Sequence, residues 1–327
     1  MIGASDSTPA GGVARAKFDV ELAYDQRADA AAAQVLRRLL TVILDNREGA
    51  LDGRDPEYLH QLRIAVRRSR TVQRQLRRVF PAVELPGFRS EFRWLQRATG
   101  PARDYDVHVE DFDALAAMLP EEIRPDLRPL RPVLAHGRLA AHAQMARALT
   151  SRRASELVGD WERLLESLVE HPVEERPDAG RPIGEVVAGR IHRVYLRIVQ
   201  RGGAIDDSSS AEEYHELRKM GKELRYLLEL FALSVFGAEA VRPLIASLKG
   251  VQDTLGRHQD REVQIALLRA VADEVATLRR GPAACLAMGV LIDRLRADEL
   301  VARHAFAERL VELAGPQRRA SVEATFA

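Results

Sequence analysis

The chain has 327 residues, 46% of them apolar and 30% charged, which allows a substantial core in one or two domains. Its sole cysteine, Cys285, excludes an internal disulfide and suits a reducing cytosol, and no apolar run approaches the length needed to cross a bilayer. The formal net charge of +1 says nothing about partners until the charges are located: of 49 basic residues only Lys17, Lys219, Lys222 and Lys249 are lysines.

Leu, Ala, Arg and Glu dominate and aromatics make up only 5%, so an all-α fold is expected. Residues 1–17 are small and polar without an apolar h-region and read as a disordered leader of a cytoplasmic protein. Residues 28–48 carry apolar positions at helical spacing. Asp55-Pro56-Glu57 then supplies an N-cap and a proline at the first helical position, opening a second helix that stops at Pro81. A third helix is expected over 88–98, broken at Gly100-Pro101, and a fourth from near Asp104. A long helical stretch follows over 133–169 with a bend near Ser151. The Pro-, Gly- and acid-rich piece 171–182 separates the two halves. Further helices are expected over 183–201, 211–236, 239–254, 259–280 and 282–314, with residues 316–327 as a tail. Period-two alternation is absent.

The order of elements repeats, and so do residues. His60-Gln-Leu62-Arg63-x3-Arg67-x2-Arg70 matches His215-Glu-Leu217-Arg218-x3-Lys222-x2-Arg225 at an offset of 155. Gln96-x3-Gly100-x3-Asp104-x2-Val107 matches Gln252-x3-Gly256-x3-Asp260-x2-Val263 at an offset of 156. Two motifs in the same order at nearly one offset imply a duplicated unit, 18–170 and 181–315.

Residues 58–80 hold seven arginines and no acid. On a helix, His60, Arg63, Arg67, Arg70, Arg74 and Arg77 fall within an arc of roughly 100°, opposite Leu62, Ala65, Val66, Val72, Leu76 and Val79. His215, Arg218, Lys222 and Arg225 form a shorter ladder, because Glu229 interrupts it. Like charges one turn apart repel, so acids on neighbouring helices, solvent, or an external anion must compensate. Two such faces brought together would form a positive groove fitted to a polyanion, since the guanidinium fork binds phosphate oxygens bidentately. The ladder carries no aromatic for base stacking, which favours phosphate over single-stranded nucleic acid. Arg93 and Lys249, which align with each other, are expected to join the groove, as are Arg97 and Arg193; the latter belongs to a further row with Arg190, Arg197 and Arg201. Gly100 and Gly256 are read as permitting a backbone turn. Asp104 and Asp260 are read as N-caps, as carboxylates that hold a ladder arginine or histidine, or as both.

The segments "HQLRIAVRRSR", "WLQRATGPARDYDV", "HELRKMGKELRYLLELF" and "LKGVQDTLGRHQDREV" resemble, in order, the four signature segments of the CHAD family, over about residues 20–312. The resemblance implies two helical bundles related by a pseudo-twofold, with a basic channel or saddle between them that binds inorganic polyphosphate. Carried across by motif, His60, Arg63, Arg67, Arg70, His215, Arg218, Lys222 and Arg225 would line it. Ser69 departs from the family's usual leucine-like residue. The triphosphate-cleaving tunnel domain of many relatives has no counterpart in this sequence, so binding without catalysis and without a cofactor is expected.

The resemblance also suggests association with polyphosphate granules or polyphosphate-metabolising enzymes. The alternatives are a metal site built on His60 and His215 with Asp104 and Asp260, an enzyme acting on polyphosphate or nucleotides, and nucleic-acid binding as a weaker competitor in the same groove. Neither a glycine-rich phosphate loop nor a magnesium-type carboxylate cluster is visible. The arginines around each histidine disfavour a dication. The remaining histidines are read as ordinary helix or loop residues, and Trp94 and Trp161 as core.

Overall fold

A computed structural model describes residues 12–13, 20–206 and 208–327, so most of the expected leader lies outside the described residues. In chain order the helices are α1 (Ala28–Asp45), α2 (Arg47–Asp52), α3 (Pro56–Gln75), α4 (Leu85–Ala98), α5 (Gly100–Glu110), α6 (Phe112–Ala117), α7 (Leu130–Leu149) and α8 (Arg152–Ser167) in the first half. The second half holds α9 (Ile183–Gly202), α10 (Ala211–Leu227), α11 (Leu233–Val235), α12 (Ala238–Ala270), α13 (Ala272–Ala276), α14 (Gly281–Ala314) and α15 (Pro316–Phe326). Among the described residues there is no β-strand, only an isolated bridge between Arg27 and Pro182. The fold is all-α.

Local sequence sets several of the helix boundaries. The Asp55 side chain accepts from the Glu57 amide ahead of Pro56, and Ser151 caps α8 by accepting from the Ala154 amide, which makes the expected bend a full break. Ser210 and Glu213 form a capping box at α10. That helix ends in a π-turn, Leu228–Ala232, where one extra residue per turn rotates the following side chains.

Two expectations fail here. The break foreseen between 254 and 259 is absent, and α12 runs unbroken through Gly256. In the first half Pro101 follows the glycine, whereas Arg257 in the second half keeps its amide and its helical freedom. Residues 316–327 are also no loose tail. They form α15, whose Phe326 is buried with its ring 5.1 Å from that of Phe236.

The main apolar core is continuous through both halves, from Leu36 and Leu62 to Leu224 and Phe231. Trp161 is fully buried in it against Phe80, Phe88 and Phe92. Trp94 is only partly buried, under the Arg153 guanidinium at 4.3 Å. A second core gathers α6 and the start of α7 against the end of α12, α13 and α14. The piece between the halves is pinned into place: Arg176, 1% exposed, donates to Asp29 at 3.3 Å and to the Val79 carbonyl at 3.1 Å. A charge buried to this degree is tolerated because it is paired and hydrogen-bonded.

Candidate functional site

The two cationic helices, α3 and α10, pack against each other. Where they cross, Arg74 Nη2 lies 2.5 Å from Glu223 Oε1 and Arg68 Nη2 lies 2.5 Å from Glu229 Oε2. Glu223 and Glu229 stand 155 positions after Arg68 and Arg74. Shifting both ends by that offset therefore exchanges the two bridges, the pattern of a contact across a twofold. At this crossing the second half supplies acids where the first supplies arginines.

Towards the N-terminal ends of both helices the walls part around a cavity of about 350 Å³. Helix α3 contributes His60, Arg63 and Arg67, and α10 contributes Arg218 and Lys222. The remaining wall comes from Arg103, Asp104, Val107 and His108 of α5 and from Gln259, Asp260, Val263 and Gln264 of α12. Five arginine and lysine side chains thus face two carboxylates, a formal charge of +3 with the histidines neutral.

The cations are held in different ways. Arg63 is 9% exposed and donates to the Gln96 carbonyl and to Thr99 Oγ1, both at 2.9 Å. Arg70 donates to the Gln96 side chain, and 155 positions on Arg225 makes the same bond to Gln252 at 3.1 Å. Arg218 lies 3.7 Å from Asp260. The Nε groups of Arg67 and Arg218 are buried without a hydrogen-bond partner among the described residues.

This crowding shows in the titration of the groups. Burial, then Arg218 and Arg67, push Lys222 down to about 7 against the opposing pull of Asp260. Burial and then Arg67 lower Arg63 to about 10. His60 is lowered by burial first and then by Arg103, Arg67 and Arg63, despite Glu57, so it is neutral at pH 7. Burial raises both Asp104 and Asp260, with neighbouring cations pulling the other way. The Asp260 side chain is 65% exposed, so water reaches it even as the concave wall around it withholds full hydration.

Of the sequence-selected residues, His60, Arg63, Arg67, Arg218, Lys222, Asp104 and Asp260 line this cavity. His215 stands beside it, its Nδ1 hydrogen-bonded to Gln259 Oε1. Arg70 and Arg225 follow one turn further along. Arg74 does not belong to the cavity, because Glu223 already matches it, and Arg225 is likewise held by Glu229 at 2.8 Å. Arg93, Arg97 and Lys249 are exposed on α4 and α12 away from the cavity wall, and Arg193 is exposed on α9, donating to the Gly189 carbonyl.

Neither aspartate is an N-cap: Asp104 lies inside α5 and Asp260 inside α12. Neither glycine makes a left-handed turn. Gly100 instead leaves the α5 backbone bare beneath Arg63, whose Nη1 would sit 3.6 Å from an added Cβ, while Gly256 has open space around it. The sequence reading missed Arg103, His108, Gln259 and Gln264. The signal was available, since Arg103 and His108 align with Gln259 and Gln264 at the offset of the flanking aspartates.

Residues 34–269 match the family model described as CHAD domain. The chain belongs to the CHAD family. This is a family associated with polyphosphate. A solved structure similar to this CHAD protein is the crystal structure of the CHAD domain from the plant Ricinus communis, 25% identical, with a TM-score of 0.74 over 96% of this chain and 98% of that one. PptA from Streptomyces chartreusis shares the fold at 20% identity and a TM-score of 0.64, over 87% of this chain and 99% of its own. No curated protein sequence matches the chain.

The paired histidines of this CHAD chain belong to no group of ligand atoms spaced for a metal among the described residues. The group that is so spaced is His258, Glu262 and Glu299. There Arg303 already donates to His258 Nε2 at 3.1 Å and to Glu299 at 3.2 Å, so the two acceptors are matched by a guanidinium. No helix of the described residues is long and apolar enough to cross a membrane.

Proposed function

We propose that this protein binds inorganic polyphosphate in the cavity between α3, α5, α10 and α12, in the cytoplasm, and does no chemistry of its own. The observation that carries the reading is the convergence of Arg63, Arg67, Arg218 and Lys222 on one cavity in which, among the described residues, Asp104 and Asp260 are the only acids. Cations that depress one another's pKa are incompletely neutralised by the protein. A chain of phosphates supplies the missing charge, and guanidinium forks match its oxygens.

The wall holds no Phe, Tyr or Trp on which a base could stack, which argues against single-stranded nucleic acid. Its two carboxylates lie among cations, with no third acid to complete a magnesium cluster, which supports binding without catalysis. Association with polyphosphate granules, or with enzymes that act on polyphosphate, would follow through the bound polymer.

The test is a salt titration with long-chain polyphosphate. Affinity should fall linearly in log–log form as counterion release weakens, by analogy with other phosphate backbones. The Arg63→Glu, Arg67→Glu, Arg218→Glu variant should lose binding, and DNA should fail to displace polyphosphate at physiological salt. Affinity indifferent to ionic strength, or phosphate release from the polymer in the presence of magnesium, would refute the reading.

A further inference from the structure

The two halves treat the ends of the cavity differently. Beyond Arg67 the first half continues with cations: Arg70 and Arg74 on α3, and Arg97, Arg93 and Arg89 on α4, which packs on α3. The Arg63 bonds to Gln96 and Thr99 and the Arg70 bond to Gln96 set the direction: as α3 moves away from the cavity, α4 runs back through positions 96, 93 and 89.

After burial and Arg74, the three α4 arginines act on Arg70 and lower its pKa, so the row is contiguous in space. Arg89, Arg93 and Arg97 have no ion pair within 4.0 Å among the described residues. The acid on the same helix, Glu91, accepts from Nε and Nη2 of Arg153 at 2.6 and 2.8 Å.

At the repeat offsets, the second half places Arg225, Glu229, Ile245, Lys249 and Asp253 where the first has Arg70, Arg74, Arg89, Arg93 and Arg97. Two cations balance two acids there, and one of those cations, Arg225, is already bound to Glu229. At these aligned positions the second half therefore offers a phosphate chain no net positive charge. On the α4 side such a chain meets four arginines beyond the one that Glu223 neutralises.

We propose that a polyphosphate chain anchored in the cavity leaves it on one side only, over the α3–α4 face, where Arg70, Arg97, Arg93 and Arg89 form an extension site for its further phosphates. This rests on the cavity being the anchor. The extension makes affinity depend on chain length: a polymer too short to leave the cavity gains nothing from α4.

The experiment measures binding of tripolyphosphate and of long-chain polyphosphate, over a matched series of salt concentrations, to the wild type, Arg93→Glu/Arg97→Glu, Lys249→Glu and Arg67→Glu. The α4 double variant should lose about tenfold or more for the long chain, with a shallower salt slope, and change little for tripolyphosphate. Lys249→Glu, at the aligned position of the other half, should change neither. Equal losses for both ligands, no loss for the long chain, or an equal effect from Lys249→Glu would overturn the one-sided path. If those results appear while Arg67→Glu still abolishes binding of both ligands, the cavity reading stands and the path alone fails. If Arg67→Glu leaves both affinities intact, the anchor is wrong and the path fails with it.

Discussion

Arg68 of the first half and Glu229 of the second meet at 2.5 Å, with side chains 10% and 20% exposed, and Arg225 holds the same carboxylate at 2.8 Å. Removing the acid takes the carboxylate away from two guanidinium groups, one of them nearly buried, although Arg225 keeps its bond to Gln252. Glu229→Leu should therefore cost about 3 kcal/mol of stability, because breaking a buried pair from one side leaves an uncompensated charge. Thermal unfolding should show a Tm several degrees lower. Arg68→Met combined with Glu229→Leu should recover most of the loss, since an apolar pair carries no desolvation penalty.

Arg63 and Arg67 sit one turn apart and should respond in opposite ways. Arg63 satisfies a backbone carbonyl and a buried hydroxyl. Its replacement by Met should cost about 1–3 kcal/mol. Arg67 has a buried Nε with no hydrogen-bond partner among the described residues and lies among like charges. Arg67→Met should leave the free protein as stable as the wild type or more so, and should weaken long-chain polyphosphate binding by about tenfold. Denaturant unfolding and a binding titration on the same samples check both halves of this prediction.

Lys222 carries the pH dependence. Its folded pKa of about 7 lies below the ordinary 10.5. Between those values the unfolded chain holds a proton that the folded chain has released, so stability of the free protein rises with pH across that window. Polyphosphate favours the charged lysine, so binding near pH 8 should take up protons, and affinity should fall from pH 6 to pH 8. Calorimetry in two buffers of different ionisation enthalpy measures the uptake. Lys222→Arg, which keeps its charge, should reduce both effects, whereas titration of the polymer's own end groups is common to both proteins.

Asp260 supports the charge of Arg218 and Lys222. Asp260→Asn should move the Lys222 titration below 7, because burial, Arg218 and Arg67 then act without that opposition. The pH at which polyphosphate affinity begins to fall should move down with it. An unchanged midpoint would show that Asp260 does not couple to the lysine.

The sequence by itself determined the helices, the ladder and the identity of the cations. Apolar residues at helical spacing and caps such as Asp55 and Ser210 act within a turn or two, so their consequences are legible locally. It also set His60, Arg63, Arg67 and Arg70 against His215, Arg218, Lys222 and Arg225 at one offset. What the tertiary structure alone decided is which cations stay unmatched. Arg68 and Glu229 are 161 residues apart in the chain yet form one ion pair, while Arg67, on the same helix, comes among Arg218 and Lys222 and has no ion pair within 4.0 Å among the described residues. The continuity of α12 through Gly256 was likewise undecided, since glycine permits a turn without requiring one. The interaction of two charges depends on their separation and on the water between them. Both quantities are created by the packing of α3 on α10, and neither is written in the order of residues along the chain.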